Sequence, residues 1–174
     1  MTEYNLFVYG TLKAGCHNSH LLPKDAPRRE GIMLGRMYSN VTYPFVTLKR
    51  DYVFEHGSRD LGEDQSWAER LAPEIAKGVD FVKEGLRVVF GEVVTLAQPE
   101  RVIPALDRLE GYLQGRRYGM EDLYVRVLTG ARIKGQGGVQ PVWTYVANLH
   151  NPMVLKRCAP ESALPEGYWP TDRE

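Results

Sequence analysis

Apolar residues along this chain fall into short blocks with two different spacings. Residues 4 to 9, YNLFVY, are rich in β-formers and stop abruptly at Gly10, which predicts a strand running into a turn. KAGCHNSHLL (13–22) continues that turn toward a short helix. GIMLGRMYSN (31–40) and YPFVTLKR (43–50) predict two further strands, with Pro44 suited to a strand start or an edge. HGSRDLGEDQ (56–65) is polar enough to be a loop. In SWAERLAPEIAKGVDFVKEG (66–85), Trp67, Leu71, Ile75 and Val79 lie four apart. That spacing is helical, although Pro73 and Gly78 count against it. LRVVFGEVVTL (86–96) is a strand, and QPERVIPALDRLEG (98–111) is a helix halted by a glycine. LYVRVLTGARI (123–133) and QPVWTYVAN (140–148) are strands flanking the turn KGQGG. The proline-rich tail carries one short helix at most.

These elements predict an α+β fold, a mixed and strand-dominated sheet with few helices, in a single domain. Its 174 residues suit one domain, and 43% hydrophobic with 25% charged residues is ordinary for a globular protein. Lys plus Arg and Asp plus Glu both number 22, so the formal charge is zero. Neither a nucleic-acid partner nor a membrane partner is expected from that balance. The two cysteines, Cys16 and Cys158, make no CxxC pair, which fits a reducing compartment. The first residues carry an early Glu and no basic region ahead of an apolar run, so a cytoplasmic location is expected.

The helix at 98–111 carries the first chemical signal. With Val102 at zero and roughly 100° per residue, Leu106 falls at about 40°, Leu109 at about 340° and Ile103 at about 100°. Glu110 falls at about 80°, inside this apolar arc, at the helix C-terminus. Burial and the helix carbonyls both disfavour its charged form and push its pKa toward values useful for proton transfer. Alternatively Glu110 ends a frayed helix and bends out to solvent.

The turn after Tyr9 carries the second. Gly10, Thr11 and Leu12 present backbone N–H groups that can form a nest for an anion or a carbonyl oxygen, or simply reverse the chain. The four histidines show no spacing typical of a zinc site. His20 is the one beside the turn. Cys16 has no basic neighbour in sequence to make it a nucleophile.

Five segments in order resemble the gamma-glutamylcyclotransferase-like family, in particular its gamma-glutamylamine cyclotransferase-type branch. VYGTLKAG with NSHLL resembles the N-terminal signature, and TYPFV the tyrosine–proline segment. VFGEVVTL is similar to the strand with a Gly-Glu pair. ALDRLEGY resembles the LD-x-x-EG helix end that holds the catalytic glutamate. LYVRVLT followed by PVWTYV is similar to the Y-x-R strand and closing aromatic strand. The resemblance implies a mixed sheet curled into a partial barrel. It implies cyclisation of a γ-glutamyl group to pyroglutamate (5-oxoproline) with release of an amine or amino acid, with no cofactor and no metal. The expected partner is a small γ-glutamyl substrate.

By the same resemblance Glu110 is the general base, returning its proton to the leaving nitrogen. The turn Tyr9, Gly10, Thr11 and Leu12 holds the glutamyl α-carboxylate or the oxyanion, and Tyr124 points into the cavity. Arg126 shares the Tyr124 face by strand alternation, either as a substrate contact or in a structural ion pair. Two segments depart from the family pattern. Residues 51–85 form an inserted helical segment, and 111–123 separate Glu110 from Tyr124 by more than usual, leaving Tyr118 as a rival for the tyrosine role. Both are expected to flank the cavity mouth, where Arg116 and Arg117 either meet an anionic leaving group or stand in an exposed loop. A second class of function is a non-catalytic module that keeps fold and pocket and binds a small molecule or a protein.

Overall fold

A computed structural model describes residues 3–39, 42–82, 87–113 and 118–170. Among these residues, nine strands and three α-helices follow in the order β1 (Tyr4–Val8), β2 (Arg28–Leu34), β3 (Arg36–Ser39), β4 (Pro44–Thr47), β5 (Glu55–His56), α1 (Leu61–Gly78), β6 (Val88–Leu96), α2 (Pro99–Leu109), β7 (Tyr124–Ile133), β8 (Gln140–Ala147), α3 (Pro152–Arg157) and β9 (Ala163–Leu164).

The main sheet runs β2-β6-β1-β8-β7, and β2 pairs again with β7 through Gly31↔Ile133, Ile32↔Arg132 and Met33↔Ala131. The five strands therefore close into a barrel, which leaves no open edge between them. β5 adds to the outer side of β7 at Glu55↔Leu128. Strand β1 lies between two partners, antiparallel to β6 from Tyr4↔Leu96 to Val8↔Glu92 and parallel to β8 at Leu6↔Trp143. A small second sheet, β4-β3-β9, stands beside the barrel. Phe7, Met33, Val89, Val93, Leu128 and Trp143 are all buried.

Several boundaries differ from those the apolar pattern predicts. The run 31–40 is two strands, because the chain turns from the barrel into the second sheet at Gly35. The strand expected over 43–50 ends at Thr47, and the helix expected to start at 66 starts at Leu61. Asp60 caps it there, its Oδ1 accepting from the N–H groups of Gly62 and Glu63, both at 3.0 Å. Such a cap satisfies orphan donors of the first turn, so polar residues that look like loop become helix. The helix runs through Pro73 and ends at Gly78.

Candidate active site

Helix α2 ends where its sequence says it should. Gly111 has φ +69, a left-handed conformation open to glycine. The N–H of Tyr112 reaches back to the Asp107 carbonyl at 2.7 Å, and the Glu110 N–H to Leu106 at 2.8 Å. Glu110 is thus held in a closed last turn and is not frayed. Leu109, expected in the buried arc, is instead 42% exposed, because the arc ends at the rim of a cavity that Leu109 and Glu110 both line.

The cavity is about 220 Å³. Its walls come from the end of β1 and the turn behind it, from Tyr43 and Pro44, from the α2 terminus, and from Leu123, Tyr124 and Tyr145. Tyr9, Gly10, Thr11 and Leu12 all line it. Among the described residues, no protein acceptor takes the N–H groups of Gly10, Thr11 or Leu12. The Asn18 side chain donates to Thr11 Oγ1 at 3.0 Å, and its N–H donates to the Thr11 carbonyl at 3.1 Å. The turn is held from outside by the Lys13 ammonium on the Trp169 carbonyl, and by the Ala14 N–H on Glu92 Oε2 at 3.1 Å. Gly10 is required by crowding: a Cβ there would lie 2.8 Å from Pro44 Cγ.

Three tyrosines frame Glu110. Tyr9 Oη donates to the Tyr145 carbonyl and Tyr124 Oη to the Pro44 carbonyl, both at 2.7 Å. Burial keeps all three phenols neutral, with pKa values above their ordinary range, and for Tyr9 and Tyr124 the negative charge of Glu110 adds to this. Glu110 itself accepts no hydrogen bond from the described residues. Loss of water pushes its carboxyl up to about 8, and the nearby Asp107 carboxylate pushes in the same direction.

Arg126 lies elsewhere. It does share a face of β7 with Tyr124, but its side chain is fully buried and does not line the cavity. All five of its N–H donors are satisfied: Nε on Asp107 Oδ1 at 3.0 Å, Nη1 on Asp64 Oδ2 at 2.5 Å and on Tyr4 Oη at 2.7 Å, and Nη2 on the Ser58 carbonyl at 2.7 Å and on Asp107 Oδ2 at 3.2 Å. Of the two alternatives for Arg126, the ion pair is the one formed. Tyr118 stacks on His56 with ring centroids 5.3 Å apart and does not line the cavity, so of the two rivals Tyr124 is the one that does. His20 is exposed, and His17 lines the cavity in its stead. Arg116 and Arg117 lie outside the described residues.

The segment 51–85 lines no part of the cavity among the described residues. It supplies Ser58 and Asp64 to Arg126, and the Gly57 carbonyl to the Tyr112 hydroxyl at 2.7 Å. Asp64 was detectable by the same logic as Glu110. It precedes Trp67, Leu71 and Ile75 along the apolar stripe of α1, so it too is a carboxylate on a buried face. Among the described residues no group of three or more His, Cys, Asp or Glu could hold a metal ion, and no helix is long and apolar enough to cross a membrane.

No protein-family model and no curated protein sequence matches the chain. Solved structures do. YkqA from Bacillus subtilis superposes with a TM-score of 0.53 at 17% identity, covering 96% of this chain and 39% of its own. At5g39720.1 from Arabidopsis thaliana gives 0.51 at 16% identity, covering 93% and 75%. An AIG2-like protein from Mus musculus gives 0.51 at 18% identity, covering 100% and 99%. The chain therefore spans about two fifths of YkqA, at 39%, and essentially all of the mouse protein. At such identities the likeness is one of fold: an α+β chain built on a mixed, barrel-like sheet.

Proposed function

We propose that the chain cyclises a γ-glutamyl group to 5-oxoproline, releasing an amine or amino acid, with Glu110 as general base and then general acid. The observation that carries this is the pairing of an unbonded carboxyl, raised to about 8, with free backbone donors across one small cavity. The five-segment resemblance and the fold shared with a mouse AIG2-like protein support the same reading.

The chemistry balances within one substrate. The neutral α-amino nitrogen attacks the γ-carbonyl carbon, forming the ring C–N bond. The oxyanion that develops takes hydrogen bonds from the N–H groups of the Gly10–Leu12 turn. Ionised Glu110 accepts the proton shed by the attacking nitrogen. It delivers that proton to the departing nitrogen as the original amide C–N bond breaks. A pKa near the working pH lets one carboxyl do both jobs. Ring closure gains from a cavity small enough to fold the glutamyl chain back on itself. No cofactor enters any step.

The test is 5-oxoproline release by purified protein from a panel of γ-glutamyl amines, γ-glutamyl amino acids, γ-glutamyl-ε-lysine and glutathione. Product from one class, abolished in Glu110→Gln, is the expected result and names the leaving group. Silence across the panel, with ligand binding intact, would identify a binding module instead.

A further inference from the structure

Asp107 hydrogen-bonds residues on two sides, joining a buried ion-pair cluster to the cavity wall through side chains, while Arg126 and Tyr145 also pair directly across β7 and β8. Behind it is the buried Arg126, held by Asp64, Tyr4 and Ser58. In front of it is the cavity wall. Tyr145 Oη donates to Asp107 Oδ1 at 2.6 Å, and the Tyr145 carbonyl accepts from Tyr9 Oη at 2.7 Å. Asp107 and Glu110 are three residues apart on α2, one turn along the same side. Two carboxylates surround one guanidinium, so Arg126, Asp64 and Asp107 together carry a net negative charge.

We propose that Asp107 is a positioning residue: locked by Arg126 and Tyr145, it is a fixed charge behind Glu110 that sets the pH at which Glu110 changes protonation. The role assigned to that pH rests on the cyclotransferase reading. The geometry does not. Among the described residues, the cavity lining holds no Asp, Lys or Arg and no second Glu. β1 presents Tyr9, β7 Tyr124, β8 Tyr145 and the turn His17, with Tyr43 at the wall and the Cys158 thiol close behind Tyr9 and Tyr124. Burial pushes that thiol up to about 11, so it carries no charge near neutral pH. The inserted segment thereby acquires a function. Asp64, on α1, holds Arg126 in place, Arg126 holds Asp107 in place, and Asp107 acts on Glu110.

The test is a carboxyl titration of full-length protein carrying ¹³C-labelled glutamate, followed by NMR, with the Glu110 signal assigned by its loss in Glu110→Gln. It needs no substrate, so an inactive protein would overturn the cyclotransferase reading and leave this measurement intact. In Asp107→Asn, Arg126 still has Asp64. The Glu110 midpoint is expected to fall by about one pH unit, which raises the ionised fraction at pH 7 about fivefold. A midpoint that stays put in folded Asp107→Asn overturns the proposal. Should that variant fail to fold, Tyr145→Phe keeps the charge and removes one donor from Asp107 Oδ1. The less screened carboxylate should then move the Glu110 midpoint upward, and an unmoved or lowered midpoint is equally fatal. In an active enzyme, the kcat/KM profile of each variant must shift with its NMR midpoint.

Discussion

The Tyr124 hydroxyl donates to the carbonyl of Pro44 at 2.7 Å, and the ring of that proline packs against the α-carbon of Gly10. Three segments far apart in sequence thus meet at one proline: the strand bearing Tyr124, the segment TYPFV and the Gly10–Leu12 turn. The turn owes its place to this stack, so small changes in it should reach the chemistry.

Gly10→Ala tests that directly. Its Cβ would sit 2.8 Å from Pro44 Cγ, and the turn must move to make room. Overpacking of this kind costs about 1–3 kcal/mol. A turn displaced by a fraction of an ångström should lower kcat/KM by about 10- to 100-fold. Urea denaturation beside steady-state assays would show both losses, and unchanged turnover would mean that the turn holds nothing.

Gly111→Ala probes the other wall. A residue with a Cβ at φ +69 loses about 1 kcal/mol in the left-handed region. The last turn of α2 would open and let Glu110 swing outward. Turnover should fall more steeply than stability, and a Glu110 midpoint drifting back toward the ordinary carboxylate range would report the swing.

Glu110 should couple folding to pH in a direction opposite to a salt-bridged carboxylate. Its folded-state pKa, about 8, lies above the ordinary value of 4.5. The protonated form is favoured by folding, so that contribution is full below pH 4.5 and is lost as pH rises through 8. Glu110→Gln cannot ionise. It should match the wild type near pH 4 and exceed it at pH 9 by about 1–2 kcal/mol, discounted for partial exposure. Melting curves across that range check the sign, and a variant less stable than wild type at pH 9 would contradict it.

The same ionisation should appear in kinetics. With Glu110 as base, kcat/KM should fall about tenfold per pH unit below pH 8 as the carboxyl takes up its proton. The neutral α-amine that the attack requires adds to the slope in the same direction. A profile flat between pH 6 and 8 would rule the base assignment out.

Arg126→Met should be among the most damaging single changes. It strands Asp64, which is fully buried, and Asp107 without their shared cation. Breaking a buried pair costs about 3–5 kcal/mol. The loss should shrink at pH 4, where the stranded carboxylates can protonate, and melts at pH 4 and pH 7 would separate this charge effect from lost packing.

What the sequence disclosed follows from range. Strands β1, β6, β7 and β8 are written in local runs of β-formers and helix α2 in helical spacing, and Glu110 stood out because a carboxylate fell on an apolar arc. Arg126 was ambiguous for the opposite reason. Its partners, Tyr4, Ser58, Asp64 and Asp107, are scattered over the chain, and no local pattern ties them together. Leu109 was misplaced because a helical wheel treats every apolar residue as core, whereas the rim of a cavity is apolar too. The break at Gly35 falls inside a run read as one strand, and the glycine there marks the passage from one sheet to the other.

The central place of β1 also bears on how the chain is made. Its partners lie in residues 92–96 and at Trp143, so on the ribosome this apolar strand emerges long before either neighbour exists. Folding of the barrel must wait until β8 has left the exit tunnel, and loop closures of this length are slow. Until then the nascent strand is a sticky edge, and a chain stalled before β8 should be a client for chaperones rather than a partly active enzyme.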